Sequence, residues 1–240
     1  MTEWRYLLCQ NLIMIDKKIP HFIGHRKRLQ QKFLKSPDSI ADYELLELIL
    51  FWSIPRKDIK PLAKQLLNQF GSLNNIINTN SEKILNIIAV NKNVANNFAV
   101  LRELIRRILQ NKVMKENVIS SWNALVDYLK VSMGNINVEQ FRILFLNKKN
   151  ILLADELQSS GTVDQTSVYP REIVKRVLFY EATAIILVHN HPSGDPTPSK
   201  SDIDLTKQIA DACAVINVII HDHVIISSTK FYSFKSNLLL

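Results

Sequence analysis

Two histidines one residue apart, His189 and His191, close an apolar run, ATAIILVHNH (182–191). In an extended strand, residues i and i+2 point to the same face. The two imidazoles therefore stand side by side, and the apolar run keeps them near a dry interior. Residues 192–198, with three prolines and one glycine, turn the chain back. Asp202 follows in the first turn of a helix that opens at Ser199. Two imidazole nitrogens and one carboxylate oxygen leave a fourth position open for water, which is the arrangement of a catalytic zinc rather than a structural one. Neutral imidazole and ionised carboxylate are the dominant forms at neutral pH. The expectation is one Zn²⁺ per chain, held by His189, His191 and Asp202. Each part also has a plain structural use. Ser199-x-x-Asp202 is a capping box, worth about 1 kcal/mol to a helix, and PSGDP is a ready turn. It is the combined spacing, H-x-H-x₇-S-x₂-D, that points to a metal.

The elements that must position these residues are legible as patterns. FRILFLN (141–147) and NILLADEL (150–157) are apolar runs joined by the polar turn Asn147-Lys148-Lys149-Asn150, a hairpin signal. Pro170 opens a helix, 182–191 reads as a buried central strand, Ser199 opens a helix to about Ala214, and 217–227 and 230–234 read as strands. Alternating strands and helices predict an α/β layered domain over 113–240. The first 112 residues read as helices. Ser39 is expected to cap a helix over 39–54, with a second from about Asp58 to Phe70 and a short one from Ser81 through Ile88. An amphipathic helix from Val94 to Leu109 carries Phe98, Leu101, Leu104, Ile105 and Ile108 on one stripe. Residues 121–131 are a further helix, and 111–120 reads as the linker.

The chain has 240 residues, 47% of them hydrophobic and 22% charged, an ordinary globular composition that excludes a disordered polymer and a disulfide miniprotein. Cys9 and Cys213 stand far apart and outside any C-x-x-C, which fits a reducing, cytoplasmic compartment. No apolar run reaches the roughly 20 residues that cross a bilayer. The opening MTEWRYLLCQNLIMIDKK lacks the pattern of a cleaved signal. The charge is uneven. Residues 1–112 hold 18 Lys and Arg against 9 Asp and Glu, and the remainder holds 12 against 13. A basic half suits an acidic partner such as nucleic acid, and equally a solvated surface.

HNHPSGDPTPSKSD resembles the JAMM motif of the MPN metallopeptidases, and its PSGDP wording resembles the RadC family. The resemblance extends to Gly161-Thr162, to Tyr169-Pro170-Arg171-Glu172-Ile173 and to Asp222-His223. Upstream it takes in GHRKRL and DYELLELILFWSIPRKDIKPLAKQLLNQFGSL, so it covers about residues 24–237. It implies an α+β two-domain chain: an all-α, helix-hairpin-helix-like domain over 1–112, then an α/β layered, deaminase-like MPN domain over 113–240. It also implies a zinc-dependent peptidase or isopeptidase acting on a peptide or protein substrate. Glu139, before the strand expected at Phe141, is the implied base for zinc-bound water. Ser199 is implied to help stabilise the oxyanion. The family's hairpin glycines are absent from Ala89-Val90-Asn91-Lys92-Asn93-Val94-Ala95. Contact with a phosphate backbone would then fall to His25-Arg26-Lys27-Arg28 and Arg106-Arg107, weakly and with strong salt dependence.

A DNA-associated repair accessory protein with a structural or protein-binding metal domain is the alternative. The zinc deaminases share the fold type but need H-x-E with P-C-x-x-C, which this chain lacks. His221-Asp222-His223 is a second H-x-H, without a following S-x-x-D. Its histidines read as satisfied strand residues, with contact of His221 or His223 with the metal site as the alternative, and Asp222 with His223 as a hydrogen-bonded pair.

Overall fold

A computed structural model describes residues 24–55, 57–87, 90–161 and 168–240. Cys9, Ala89, Thr162 and the opening stretch discussed above lie outside these residues. The chain divides into two compact units, residues 1–65 and 66–240.

In the first unit, α1 (His25–Lys35) is followed by a 3-10 turn (Pro37–Ser39) and α2 (Asp42–Leu50). Ser39 ends that turn and does not cap the helix. Instead Glu44 reaches back to accept the N–H of Ala41 at 3.0 Å, which satisfies a donor that the helix itself leaves free. Leu29, Leu46 and Leu50 are buried. Glu47 is buried with them and takes a hydrogen bond from His25 Nε2 at 2.6 Å. Arg26 donates to the carbonyls of Phe51 and Ile54 and lies 4.2 Å over the Phe51 ring. Two residues of the basic cluster are therefore engaged within the unit.

Helix α3 (Lys60–Phe70) carries the chain across the division, with Pro61 in its first turn and Gly71, at φ 81°, just after its end. In the second unit α4 (Leu73–Asn78), α5 (Ser81–Leu85), α6 (Lys92–Lys115) and α7 (Trp122–Met133) precede the sheet. Asn80 caps α5, and Ser81 is its first residue. Asn91 caps α6 by accepting from Val94 N at 3.0 Å. The asparagine of the glycine-free stretch thus begins a helix. The stretch 111–120, expected as a linker, is helical to Lys115, and its Val113 and Val118 are fully buried in the core. Of the expected stripe on α6, Phe98 is buried while Leu104 and Ile108 are exposed.

The sheet has five strands among the described residues: β1 (Gln140–Leu146), β2 (Leu152–Ser160), β3 (Ala184–Asn190), β4 (Ile219–Ile226) and β5 (Phe231–Ser233). Their order is β2-β1-β3-β4-β5, antiparallel except for the β3–β4 pair. The β1–β2 turn holds because Asn147 Oδ1 accepts from Lys149 N and Ile151 N while Asn150 sits at φ 56°. β3 is buried along its whole length, as a central strand must be. Its even positions, Ala184, Ile186 and Val188, join Leu125, Leu129 and Met133 of α7 in one core. Its odd positions, Ile185 and Leu187, join a second core with Ile173 and Val177 of α8 (Pro170–Phe179) and Ile209 and Cys213 of α9 (Lys200–Val215). Helices thus cover both faces. Gly134, after α7, is required by close approach, since a Cβ there would lie 2.9 Å from the Ser227 carbonyl.

Candidate metal centre

The alternation of β3 decides what lies at its end. His189 continues the odd face, toward α9, and Asn190 the even one. His191 follows the strand, and its N–H is held by the Ile226 carbonyl at 2.9 Å. The turn after it closes through Gly194, whose N–H reaches the His191 carbonyl at 3.1 Å with φ 90°, a conformation suited to glycine. Asp195 then presents its carbonyl to His191 Nδ1 at 2.8 Å. The loop delivers Ser199 as the cap of α9. Its Oγ accepts the Asp202 N–H at 3.2 Å, and Asp202 Oδ2 accepts the Ser199 N–H at 2.7 Å. The capping box is therefore real, and it is also what fixes the carboxylate.

These elements bring His189, His191, Asp202 and Glu139 together, with one potential ligand atom of each within 4.8 Å of the others. His189 Nε2 lies 2.9 Å from His191 Nε2 and 3.4 Å from Asp202 Oδ1, and His191 Nε2 lies 3.6 Å from Asp202 Oδ2. His189 and Asp202 are buried. Burial opposes the Asp202 charge, but the neighbouring His189 and His191 and the hydrogen bond from Ser199 outweigh it and hold the carboxyl well below its ordinary range. Asp202 in turn raises His191. Glu139 stands one residue before β1, which starts at Gln140 rather than Phe141. Burial raises its carboxyl above the ordinary value, against the lowering effect of the two histidines. Ser199 Oγ donates to Asp202 Oδ2 at 2.7 Å, so its proton is directed at Asp202.

The chemistry of the donor set tests whether a cation fits. A backbone carbonyl only accepts, so the hydrogen on His191 is on Nδ1, facing Asp195. Its neutral Nε2 is then a bare lone pair. That lone pair lies 2.9 Å from His189 Nε2, in a cluster with the Asp202 and Glu139 carboxylates. Nitrogen and oxygen donors converging in this way need a positive charge among them. Imidazole and carboxylate are also the ligand types that zinc takes.

Asn190 and Thr206 escaped sequence reasoning. Asn190 Oδ1 accepts the Gln140 N–H at 2.8 Å, and its amide donates to the carbonyls of Ile136 and Val138 at 3.3 and 3.2 Å. It therefore grips the chain on both sides of Glu139. His223 Nε2 lies 2.8 Å from His189 Nδ1, and His223 Nδ1 lies 2.6 Å from Thr206 Oγ1. His223 is thus not an ordinary strand histidine. It touches one of the clustered imidazoles from behind. Asp222 accepts from the His223 backbone N–H, not from its ring, and from Ser233 and the Lys235 N–H. His221 turns away to Asn150 at 2.7 Å.

A family model described as a RadC-like JAB domain matches residues 119–239. UPF0758 protein SPO0054 of Ruegeria pomeroyi is 47% identical over 220 residues, 91% of this chain and 98% of that protein. The chain belongs to the RadC family. The RadC match takes in the whole sheet and every residue of the cluster. Outside it lie the basic residues singled out for a phosphate backbone. Arg106 and Arg107 both bond Glu103, at 2.8 and 2.7 Å, and His25 and Arg26 are engaged as described above. Lys27 and Arg28 are exposed. No helix among the described residues is long and apolar enough to cross a membrane.

Proposed function

We propose that this RadC protein is a zinc-dependent hydrolase of amide bonds in a peptide or protein substrate. The observation that carries this reading is the pair of imidazole Nε2 atoms 2.9 Å apart with Asp202 and Glu139 beside them. Membership in a family built on a JAB domain supports it. His189, His191 and Asp202 hold the ion. A bound zinc supplies Lewis acidity and a water of lowered pKa.

The remaining chemistry belongs to the chain. With the three ligands occupied, Glu139 is the carboxylate free to take a proton from the attacking water and pass it to the leaving nitrogen. Burial raises its pKa in the direction a base working near neutrality needs. Asn190 keeps Glu139 in place through the backbone on either side of it. Ser199 orients Asp202, and donation to an oxyanion requires that same proton to turn away from Oδ2. A groove of about 210 Å³ runs beside His191. Thr79, Asn80, Asn135, Asn137 and Ser193 line it with hydrogen-bonding groups suited to an extended peptide backbone. The test is cleavage of a peptide library by the zinc-loaded chain, with Glu139→Gln as control. Cleavage by the parent and its loss in the variant support the reading. Equal cleavage by both excludes Glu139 as the base.

A further inference from the structure

His189 has two ring nitrogens, and they meet different partners. Nε2 faces the cluster, while Nδ1 faces His223 Nε2 at 2.8 Å. From there a chain of hydrogen bonds continues through His223 Nδ1 to Thr206 Oγ1 at 2.6 Å, and from Thr206 Oγ1 to the Asp202 carbonyl at 2.5 Å. All three side chains are buried, at 1%, 0% and 1% exposure for His189, His223 and Thr206. Water therefore does not substitute for any link.

The direction of each link follows from its end. The Asp202 carbonyl has no hydrogen, so Thr206 donates to it. A hydroxyl has one hydrogen, so toward His223 Thr206 accepts, and His223 Nδ1 carries the proton. His223 is fully buried, where an unpaired charge is costly, and a neutral ring with Nδ1–H leaves Nε2 as an acceptor. His189 must then carry its hydrogen on Nδ1, which leaves its Nε2 lone pair free. Phe234, stacked on the His223 ring at 4.5 Å, and Phe141, edge-on at 5.8 Å, hold that ring in place.

We propose that Thr206 and His223 are positioning residues that set the His189 tautomer, presenting its Nε2 lone pair to the metal. They also tie this choice to the same helical turn that supplies the Asp202 carboxylate. Thr206 is four residues after Asp202, so one turn of α9 provides both a ligand and the carbonyl that orders the other ligand's ring. Partners behind a ligating histidine typically contribute about 10–100-fold in metal affinity. The inference rests on the zinc reading for the meaning of the free Nε2, but the tautomer itself is observable without metal.

The experiment uses the full chain in four forms: parent, Thr206→Val, Thr206→Ser and His223→Gln. The ¹⁵N shifts of the His189 ring are recorded in the metal-free protein. Zn²⁺ affinity is measured by competition with a chromophoric chelator. Parent, Thr206→Ser and His223→Gln, which keep a hydroxyl or an acceptor–donor pair, should show Nδ1–H at His189. Thr206→Val, of nearly the same volume, should lose that single tautomer and bind zinc about 10–100-fold more weakly. A folded Thr206→Val variant with parental tautomer and parental zinc affinity overturns the proposal. If Thr206→Val does not fold, the parent spectrum decides, since Nε2–H at His189 overturns it equally. A parent with Nδ1–H that takes no zinc contradicts the metal reading and leaves the tautomer chain standing.

Discussion

The side-chain oxygen of Asn190 accepts the backbone N–H of Gln140 at 2.8 Å. Its amide nitrogen reaches the carbonyl of Val138 on the other side of Glu139. The residue between the two clustered histidines therefore sets the position of the proposed base, from the opposite face of the same strand. Replacing Asn190 by Ala removes the hydrogen bonds of a buried side chain to Gln140, Ile136 and Val138, a loss of about 1–3 kcal/mol. It also frees Glu139 to drift, and a displacement near 1 Å can lower turnover about 10²-fold. Denaturant unfolding and single-substrate kinetics on Asn190→Ala check both. Parental stability together with parental turnover would show that the grip is idle.

Glu139→Gln keeps size and polarity and removes only the base. Turnover of any cleaved peptide should fall about 10²–10⁴-fold, the usual contribution of general acid–base catalysis. Zinc content and melting temperature should match the parent. Loss of zinc from this variant would instead make Glu139 a ligand.

A pH effect on stability is expected at the outer strand. Arg176 donates to Glu156 through Nε at 2.7 Å, and Arg176 and Tyr180 both reach the other carboxylate oxygen. This joins β2 to α8. The Arg176 guanidinium holds the Glu156 carboxyl below its ordinary value, which is about 4.3 in an unfolded chain. A lowered acid contributes stability above the unfolded pKa and loses it as pH falls through the folded one. Parent and Glu156→Gln should therefore differ in unfolding free energy at neutral pH and converge on acidification. A gap that widens as the solution becomes acidic would reverse the sign and reject the assignment.

DNA binding by the full chain should be weak and without sequence preference. Its first half is basic, but His25, Arg26, Arg106 and Arg107 already hold internal partners. Affinity for a mixed-sequence duplex, followed by fluorescence anisotropy, should fall steeply between about 50 and 200 mM salt. Tight, salt-insensitive binding would point to a surface not described by these residues.

His189, His191 and Asp202 were legible because their relation is local: a strand periodicity of two, one loop and one helix cap. Glu139 was visible only through family resemblance, since a glutamate before a strand looks like any other. Asn190 could have been read further, because alternation puts it opposite its histidine neighbours, yet its contacts with Ile136, Val138 and Gln140 span about fifty residues. Which of His221 and His223 reaches the site was open for a similar reason. Periodicity gives the face of a strand but not its neighbour, and only the β3–α9–β4 crossover sets Leu187 beside His223. The available signal was Thr206, one helical turn after Asp202. The linker expectation failed because the polar stretch 111–120 hides Val113 and Val118, both fully buried.

The measurement closest to the central claim is metal analysis of the purified full chain beside His191→Ala. His191 contributes one of the two facing lone pairs, and its loss leaves a single imidazole and Asp202. The parent should carry one zinc per chain, and the variant should lose it at stoichiometric protein while remaining folded by circular dichroism. Zinc at full occupancy in His191→Ala, or a folded parent that takes none from a zinc-containing buffer, would contradict the account.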